Sequence, residues 1–452
     1  MIQLIRFGTD GVRGVANQDL TAEMAYNLGR ASAHVLNKGS TKARILVGCD
    51  TRISCDMLEA ALIAGICSVG ATVHTVGVVP TPAIAYLVKK YDMDAGVMIS
   101  ASHNEVKDNG IKIFDGQGYK LSDQTEEEIA NLINSGGLQS LDSPIGKALG
   151  RKIVVETALE DYEEFLLSTV EGLDLTGLKI GIDCANGATY QLAPSVLKRL
   201  GAEVFSYYDK PNGININENC GSTHMDDIAL KVNLYKLDLG IAFDGDGDRC
   251  LMVDNKGQIL DGDEIMSILG THFKENGVLK KNTIVGTVMS NLGLFKMGEE
   301  QNIEILKTAV GDRYVLEAML KDGYNFGGEQ SGHIIFLDHT STGDGVLTAL
   351  QLLKVLKEKG KTLSDLNTLM KKYPQVMINA KVENSKKYSY EENQQINDAI
   401  KELDKKFAGN GRVLIRPSGT EPVVRVMIEG NDIDEITAEA QTMVKLIEKT
   451  LA

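Results

Sequence analysis

The chain has 452 residues, of which 43% are hydrophobic and 24% are charged. This length and composition indicate a globular protein of about three or four domains and exclude a disordered chain. The formal net charge is −15, which argues against broad binding to nucleic acid or to an anionic membrane, because both need a basic face. An anionic ligand is not excluded, since local groups decide that.

The N-terminal stretch MIQLIRFGTDG is interrupted by Arg6 and Asp10 and lacks the apolar core of a signal peptide. None of the six cysteines forms a CxxC pair, so we expect reduced thiols and a cytoplasmic location. Residues 60–88 contain no Asp, Glu, Lys or Arg, and that length could span a membrane. Because glycines and prolines interrupt the stretch, we predict helix, strand and helix in a buried layer instead.

Helical and strand patterns alternate from the N-terminus onward. Thr21 and Ser54 are candidate caps of the first two helices, and a short strand at 45–47 lies between them. Thr81-Pro82 opens a third helix, with proline at its first helical position. Strands are also predicted at 178–183 and 239–243, and a hairpin turns at 255–257. This alternation predicts α/β sheets, in which ligands bind at the loops beyond the strand ends.

Changes in composition divide the chain into four regions. A polar, glycine-containing stretch follows residue 135, the predicted hairpin closes a second region, and a Lys- and Asn-rich segment follows Tyr373-Pro374. The predicted domains are 1–156, 157–255, 256–371 and 372–452.

The stretch VMISASHNEVKDNGIKIF, residues 97–114, places a serine, a histidine and a lysine just beyond a strand. Ser102, with His103 adjacent and Lys112 following, is a candidate nucleophile or phosphoryl carrier. The alternative is a polar turn that satisfies its own backbone. A serine hydrolase is disfavoured because the chain has no GxSxG motif.

The stretch FDGDGDR, residues 243–249, alternates aspartate with glycine directly after a predicted strand. Glycine lets the backbone fold tightly enough for the carboxylates of Asp244, Asp246 and Asp248 to converge. Converging carboxylates repel one another, and a hard divalent cation such as Mg²⁺ removes that cost. An EF-hand is excluded because Arg249 stands where glycine is needed. The alternative is a solvated acidic turn.

Two further loops carry polar groups on glycine-containing turns. GGEQSGH, residues 327–333, offers hydrogen-bonding groups for sugar hydroxyls: Glu329, Gln330, Ser331 and His333. RPSGTEP, residues 416–422, offers a guanidinium, two hydroxyls and an exposed amide for a phosphate: Arg416, Ser418, Thr420 and Gly419. Taken alone, each stretch is as typical of an ordinary polar turn as of a binding loop. Together the four loops predict a cleft, lined by one loop from each domain, that binds a phosphorylated polyol.

The motifs SASHN, DGDGDR, GGEQSGH and RPSGTEP stand in the order and approximate spacing of the α-D-phosphohexomutase superfamily, which the chain resembles over essentially its whole length. Phe7–Gly14 (FGTDGVRG) and Thr308–Val315 (TAVGDRYV) extend the match. The resemblance implies a four-domain α/β enzyme, in which three related α/β domains precede a smaller α+β domain.

The resemblance also implies roles for single residues. Ser102 would carry a phosphoryl group and, through it, add a ligand to one Mg²⁺ held by the three aspartates. Arg13, Lys112 and Arg249 match positions near the transferring phosphoryl. Lys112, His103 or His333 could move the hydroxyl proton, and the sequence does not choose among them. The sugar hydroxyls would be bound by Glu329, Ser331 and His333. The phosphate that does not react would be bound by Arg416, Ser418, Gly419, Thr420 and Arg425.

Gln330 and the N-terminal segment favour the amino-sugar branch of the superfamily. Its reaction interconverts glucosamine 6-phosphate and glucosamine 1-phosphate through glucosamine 1,6-bisphosphate and feeds UDP-N-acetylglucosamine synthesis. The phosphomannomutase and phosphoglucomutase branch is the alternative, because an amino group replacing a hydroxyl is a small change for a pocket to separate. A non-catalytic phosphosugar-binding protein and a metal-dependent phosphatase are alternatives of other classes. Relatives also imply a homodimer.

One residue departs from the pattern of the superfamily. Proline commonly follows the SHN motif, whereas this chain has Glu105. Proline would stiffen the loop, and glutamate adds an anion beside a phosphoserine that itself carries about −1.5 to −2 charges. The rigidity of this loop therefore needs another source.

Overall fold

The computed structural model describes residues 4–8, 10–37, 42–418 and 421–451. Over this described part the chain forms two compact units. The first comprises the chain up to Met289 together with Leu306–Thr368, and the second comprises Ser290–Ile305 together with the chain from Leu369 onward. Each unit contains its own hydrophobic core.

The N-terminal sheet of the first unit runs in the order β1-β5-β4-β2-β3-β6. Strands β2, β3, β4 and β6 are parallel, while β5 is antiparallel to both β4 and β1. Its strands are β1 Val12–Val15, β2 Arg44–Cys49, β3 Thr72–Val78, β4 Ala95–Ile99, β5 Asp108–Asp115 and β6 Lys152–Val154. Its helices are α1 Ala22–Val35, α2 Ser54–Ser68, α3 Thr81–Lys90 and α4 Asp123–Asn134.

The starts of these helices test the predicted caps. Thr21 does cap α1, because its side chain accepts a hydrogen bond from the amide of Met24. Pro82 lies one position later in α3 than predicted, because Thr81 is the first residue of the helix and Pro82 the second. The prediction for Ser54 was wrong: α2 begins at Ser54 itself, and its hydroxyl accepts a hydrogen bond from Asn109 at 2.8 Å.

The second sheet runs in the order β11-β10-β9-β7-β8. It is parallel from β9 to β8 and ends in an antiparallel hairpin, β10–β11, at the predicted turn. Its strands are β7 Lys179–Asp183, β8 Glu203–Tyr207, β9 Leu239–Phe243, β10 Cys250–Val253 and β11 Ile259–Leu260. Its helices are α5 Ala158–Ser168, α6 Leu192–Arg199 and α7 Asp226–Tyr235.

The third sheet is shorter and runs in the order β13-β12-β14-β15. Its strands are β12 Thr283–Thr287, β13 Glu304–Thr308, β14 Phe326–Gly328 and β15 Ile334–Phe336. The helices of this region in the first unit are α8 Gly262–Glu275, α10 Asp312–Asp322, α11 Gly345–Lys359 and α12 Leu363–Leu366.

The second unit is built on an antiparallel sheet in the order β16-β18-β17. Its strands are β16 Gln375–Lys381, β17 Arg412–Pro417 and β18 Val423–Glu429, and its helices are α9 Leu292–Gln301, α13 Gln394–Phe407 and α14 Ile433–Thr450. Apolar side chains of α13 and α14 pack against the sheet and form the core of this unit. The domain boundaries expected from composition stay predictions.

Three of the loops singled out in the sequence leave the carboxyl ends of buried strands of the first unit. The serine loop follows β4, the aspartate loop follows β9, and the GGEQSGH loop follows β14. Residues 60–88 form α2, β3 and α3, as predicted. No helix among the described residues has the length and apolar character needed to cross a membrane.

Candidate active site

Ser102 lies in a tight turn at the end of β4. It is buried, with 2% of its surface exposed, and adopts a left-handed backbone conformation with φ +53°. Its hydroxyl donates a hydrogen bond to Asp244 Oδ2 at 2.6 Å, and His103 Nδ1 lies 3.3 Å from Ser102 Oγ. The fold therefore holds this hydroxyl against a carboxylate, even though such a backbone is uncommon for serine.

The aspartate loop brings three carboxylates together. Oxygens of Asp244, Asp246 and Asp248 lie within 4.8 Å of one another, and all three residues are buried. Burial and the neighbouring acids raise the pKa of Asp244 well above its usual range. Burial acts in the same direction on Asp248, but His333 and Lys112 outweigh it and lower the pKa of that carboxyl.

Two glycines let the aspartate loop approach its neighbours. A Cβ on Gly245 would stand 2.5 Å from the backbone carbonyl oxygen of Ser102, closer than atoms can approach. Gly247 has φ +71°, where side chains are rarely found. The alternation of aspartate and glycine therefore brings the acids together and also lets the aspartate loop pack directly on the serine loop.

The donor set of the aspartate loop fits a hard divalent cation. Asp246 Oδ1 and Asp248 Oδ1 are buried and have no hydrogen-bond partner in the described part of the chain. A buried, unpartnered carboxylate oxygen is costly. Oxygen ligands of this kind suit Mg²⁺ or a similar ion. A cation bound here would satisfy these oxygens and relieve the repulsion among the acids.

Lys112, on β5, faces the aspartate loop from the other side. Its ammonium lies 2.8 Å from Asp246 Oδ2, 3.1 Å from Asp10 Oδ2 and 3.7 Å from Asp248 Oδ2. Burial alone would lower its pKa, but these carboxylates raise it above the usual value. Lys112 is therefore a fixed positive charge beside the aspartates.

Sequence reasoning missed the ion-pair chain that continues from Lys112. Asp10 also binds Lys120 at 2.5 Å, and Lys120 binds Asp312 at 2.6 Å. Asp312 lies at the start of α10, in the third predicted domain. Asp10 and Asp312 stand inside FGTDGVRG and TAVGDRYV, so those matched stretches were a signal for both. Nothing in the sequence near Lys120 pointed to it.

His333 lies between Asp248 and Asp312, the last acid of this ion-pair chain. Its Nδ1 lies 3.5 Å from Asp248 Oδ2, and its Nε2 lies 3.6 Å from Asp312 Oδ2 and accepts a hydrogen bond from the amide of Gly343 at 3.0 Å. Burial alone would lower the pKa of His333, but the facing carboxylates raise it to about 9. The amide of Gly343 acts against full protonation of the ring, because its hydrogen bond needs a lone pair on Nε2. The ring therefore keeps a proton on Nδ1, facing Asp248.

Three other residues of the GGEQSGH loop, Glu329, Gln330 and Ser331, are partly exposed. Glu329 Oε1 accepts a hydrogen bond from the amide of Gly311 at 3.0 Å, and Gln330 Nε2 donates to Asp261 at 3.3 Å. The hydroxyl oxygen of Ser331 is shielded from solvent and has no partner among the described residues. Of this loop, the structure thus brings His333 to the aspartates, and Ser331 offers an unused hydroxyl.

Three predicted cations and bases lie around the serine. Arg249 is partly buried, its amide donates to Asp244 Oδ1 at 3.2 Å, and its Nε lies 3.9 Å from Asp248 Oδ1. Arg13, on β1, is more exposed and pairs with Asp10. Burial and the Arg249 guanidinium lower the pKa of His103 to about 4. His103 is therefore neutral at pH 7.

The second unit carries the predicted phosphate-binding residues. Arg416 and Arg425 stand directly opposite each other on β17 and β18. Burial and the charge of Arg425 lower the pKa of Arg416. Two cations opposite each other on neighbouring strands are unfavourable. Glu421 pairs with Arg425 at 2.9 Å, and an anion bound between the arginines would relieve the repulsion further. The buried Nε of Arg425 has no partner in the described chain.

Ser418, at the end of β17, is also placed in this arginine site. It is buried, its hydroxyl lies 3.4 Å from Arg425 Nη2, and its backbone carbonyl accepts a hydrogen bond from Lys387 at 2.9 Å. Gly419 and Thr420, which were predicted beside it, lie outside the described residues.

Models of the phosphoglucomutase/phosphomannomutase family match nearly the whole chain. The alpha/beta/alpha domains I, II and III match residues 4–140, 160–257 and 261–373, and the C-terminal domain matches residues 377–446. The chain belongs to this family of mutase enzymes, the phosphohexomutases, and has its four-domain α/β architecture.

Curated relatives match the chain over nearly its full length. The chain is 57% identical over 443 residues to phosphoglucosamine mutase of Clostridium novyi (strain NT), covering 98% of each chain. It is 58% identical over 448 residues to phosphoglucosamine mutase of Ruminiclostridium cellulolyticum, covering 99% of each.

Solved structures share the fold at low sequence identity. A phosphoglucomutase/phosphomannomutase family protein from Burkholderia thailandensis is 24% identical, with a TM-score of 0.79 and 97% of each chain covered. N-acetylphosphoglucosamine mutase from Aspergillus fumigatus, in complex with GlcNAc-6P and magnesium, is 18% identical, with a TM-score of 0.72 over 99% of this chain and 96% of that one.

The packing of Gly245 on the serine loop predicts a strong effect of Gly245→Ala. The added methyl group must displace the backbone of Ser102 or the aspartate loop, because the clash is with a carbonyl oxygen and not with a flexible side chain. A displacement of about 1 Å costs on the order of 10²-fold in turnover, so we expect a loss of kcat of about that size.

Gly172→Ala is the control for strain alone. Gly172 has φ +79° and no atom within 4 Å of an added Cβ, so the control should lose some stability and keep its kcat. Steady-state mutase assays and thermal melting would compare the two variants. Equal kcat values would contradict the proposed contact between the two loops.

Proposed function

We propose that the protein is a phosphoglucosamine mutase that interconverts glucosamine 6-phosphate and glucosamine 1-phosphate through a phosphorylated Ser102. The observation that carries the proposal is the position of the Ser102 hydroxyl, buried and hydrogen-bonded to Asp244 inside the carboxylate cluster. The names of the curated relatives support the amino sugar as substrate.

Ser102 would transfer its phosphoryl group to O1 of glucosamine 6-phosphate, which forms glucosamine 1,6-bisphosphate. After the sugar has turned over, Ser102 would take back the 6-phosphoryl and leave glucosamine 1-phosphate. Phosphoryl transfer depends mainly on positioning and charge neutralisation. The buried serine supplies the first, and the cations around the aspartates supply the second.

Asp244, Asp246 and Asp248 would hold one Mg²⁺, together with an oxygen of phosphorylated Ser102. When bound, the ion supplies positive charge to the oxygens of the transferring phosphoryl. Lys112 adds a fixed charge next to the aspartates, and Arg249 and Arg13 add guanidinium groups near them. These groups stabilise charge that spreads over the phosphoryl oxygens during transfer.

The base that takes the proton of the reacting hydroxyl must itself be unprotonated. Among the three candidates, Lys112 is held protonated by three carboxylates, and His333 carries its proton toward Asp248. His103 is neutral at pH 7 and lies 3.3 Å from the serine oxygen. We therefore assign proton exchange at Ser102 to His103.

Substrate recognition would be divided between the two remaining loops. Glu329, Ser331 and His333, with Gln330, would bind the sugar hydroxyls and amino group, supported by the unused hydroxyl of Ser331. The phosphate that does not react would be bound by residues of the second unit around the facing arginines: Arg416, Ser418, Gly419, Thr420 and Arg425. These residues could bind a phosphate on either C1 or C6 of the sugar, because they would contact only the phosphate.

The free thiols of the cysteines support a reducing compartment, and we place the enzyme in the cytoplasm. The homodimer implied by the resemblance stays a prediction, which sedimentation velocity would check. The product would feed UDP-N-acetylglucosamine synthesis.

The substrate assignment predicts a preference for the amino sugar. We expect kcat/KM of the phosphorylated enzyme with Mg²⁺ to be at least tenfold higher for glucosamine 1-phosphate than for glucose 1-phosphate. Ser102→Ala should abolish turnover of both, because it removes the phosphoryl carrier. A coupled assay of both sugar phosphates measures this.

Equal or reversed preference would move the protein to the hexose branch of the family while keeping the mutase chemistry. Turnover of either sugar by Ser102→Ala would contradict the role of the serine.

The carboxylate cluster predicts a cation effect that does not depend on activity. Mg²⁺ at about 100 times its Kd should stabilise the folded protein by about 2.7 kcal/mol. Asp244→Asn removes one charge but keeps an acceptor for Ser102, so we expect this variant to be more stable than the wild type without Mg²⁺ and to gain little from it.

Thermal melting with and without Mg²⁺ measures both effects. Glu160→Gln, an exposed acid on α5, is the matched control and should respond to Mg²⁺ like the wild type. A full Mg²⁺ response in Asp244→Asn would show that the cation binds elsewhere.

The arginine pair predicts opposite effects on stability and on binding. Arg416→Met relieves the repulsion from Arg425, so without phosphate the variant should melt at or above the temperature of the wild type. The same change removes a charged phosphate ligand worth about 1.5–3 kcal/mol, so kcat/KM for glucosamine 6-phosphate should fall at least tenfold.

Lys401→Met removes an exposed cation of the same unit and should leave kcat/KM unchanged. A lower melting temperature of Arg416→Met together with an unchanged kcat/KM would show a purely structural arginine.

A further inference from the structure

Arg52 is a buried cation that the proposed reaction does not use. It follows β2 and lies beneath the serine loop, with 1% of its surface exposed. Its Nε donates to Asp50 Oδ2 at 2.9 Å. A buried arginine is uncommon, and its other N–H groups need acceptors.

Those acceptors are the backbone carbonyls of the serine loop. Nη2 donates to the carbonyls of Ser102 at 3.0 Å and Asn104 at 2.9 Å. Nη1 donates to the carbonyls of Glu105 at 2.5 Å and Asp108 at 3.1 Å. One guanidinium therefore binds the loop at four points between residues 102 and 108. Its five N–H donors are all used, and only arginine offers that number in a planar arrangement.

The partner of Arg52 orders the same loop from the other side. Asp50 Oδ2 also accepts a hydrogen bond from Ser100 at 2.6 Å, and the hydroxyl of Ser100 accepts the amide of Ser102 at 2.9 Å. The amide and the carbonyl of Ser102 are thus both tied to the Asp50–Arg52 pair. This explains how a serine is held at φ +53°.

A second side chain binds two of the same carbonyls. Asn217 Nδ2 donates to Ser102 at 2.8 Å and to Asn104 at 3.0 Å. The side chain of Glu105, where proline is common, points away to an exposed ion pair with Lys107. The loop therefore has no proline, but it has two buried side chains that fix its backbone.

We propose that Arg52 is a positioning residue for phosphoryl transfer. It fixes the backbone of residues 102–108 so that the Ser102 oxygen stays against the aspartate loop, and it supplies the stiffness that proline would give at position 105. Asn217 assists it. The proposal rests on the proposed function, since it assigns Arg52 to the phosphoryl transfer of Ser102.

The test compares Arg52→Lys with Arg44→Lys. Lysine keeps the charge beside Asp50 but has three donors, so it cannot bind all four carbonyls. Arg44 lies at the other end of β2, where it donates to the carbonyl of Tyr91 at 2.9 Å, and it is the matched control. Each variant is assayed for kcat, KM, melting temperature, inorganic phosphate released per turnover and hydrogen exchange of the amides of residues 102–108.

For Arg52→Lys we expect kcat to fall about 10²-fold, as for a displacement of about 1 Å. KM for glucosamine 6-phosphate should stay within about twofold, because Arg52 does not touch the sugar. Exchange at 102–108 should be faster, and more inorganic phosphate should be released per turnover, because a loosened phosphoserine meets water. Arg44→Lys should change none of these. A folded Arg52→Lys with wild-type kcat and exchange would overturn the proposal.

If Arg52→Lys does not fold, Asn217→Ala takes its place and should lower kcat about tenfold with the same rise in exchange. Unchanged kcat and exchange in Asn217→Ala would then overturn the proposal. Failure of the proposed function is distinguishable, because the wild type itself would then turn over neither sugar phosphate. The exchange comparison would still show whether Arg52 fixes the loop.

Discussion

Buried negative charge is the constraint on which the rest of the site depends. Oxygens of Asp244, Asp246 and Asp248 lie within 4.8 Å of one another and away from solvent. At that separation two charges repel by about 4 kcal/mol at the effective dielectric of a protein. Two side chains from other parts of the first unit face these acids: the ammonium of Lys112 and the Nδ1–H of His333. The burial of Lys112 is tolerable only because the acids are there. Each side of the cluster therefore requires the other.

The serine loop belongs to the same balance. Its hydroxyl donates into the acidic cluster through Asp244, and its backbone is fixed by Arg52, a cation that is itself neutralised by Asp50. Gly245 allows the two loops to touch. A phosphoryl group on Ser102 would add negative charge to this cluster, which is why a divalent cation and the nearby guanidinium groups are central to the proposed reaction. The arginine pair of the second unit presents the converse case, in which facing positive charges favour an anion.

Much of the fold and of the candidate site could be predicted from the sequence because the signals are local. Strands β4 and β9 are apolar runs that end in loops of small and polar residues, and the three aspartates stand within five positions of one another. Contacts between distant segments could not be predicted this way. In the chain from Lys112 through Asp10 and Lys120 to Asp312, the ion pair between Lys120 and Asp312 alone joins residues 192 positions apart. The sequence offered no signal for Arg52. Ser54 was predicted as a cap, and only the folded chain brings Asn109 to its hydroxyl.

The central claim is that Ser102 gives a phosphoryl group to the sugar and takes one back. The most direct measurement starts from enzyme labelled with ³²P on Ser102 and follows the label after one turnover with unlabelled glucosamine 6-phosphate and Mg²⁺. We expect the label to leave the protein and appear in the sugar phosphates, with very little inorganic phosphate. Label that stays on the protein while product forms would contradict phosphoryl transfer by Ser102, and label released as inorganic phosphate would indicate a phosphatase.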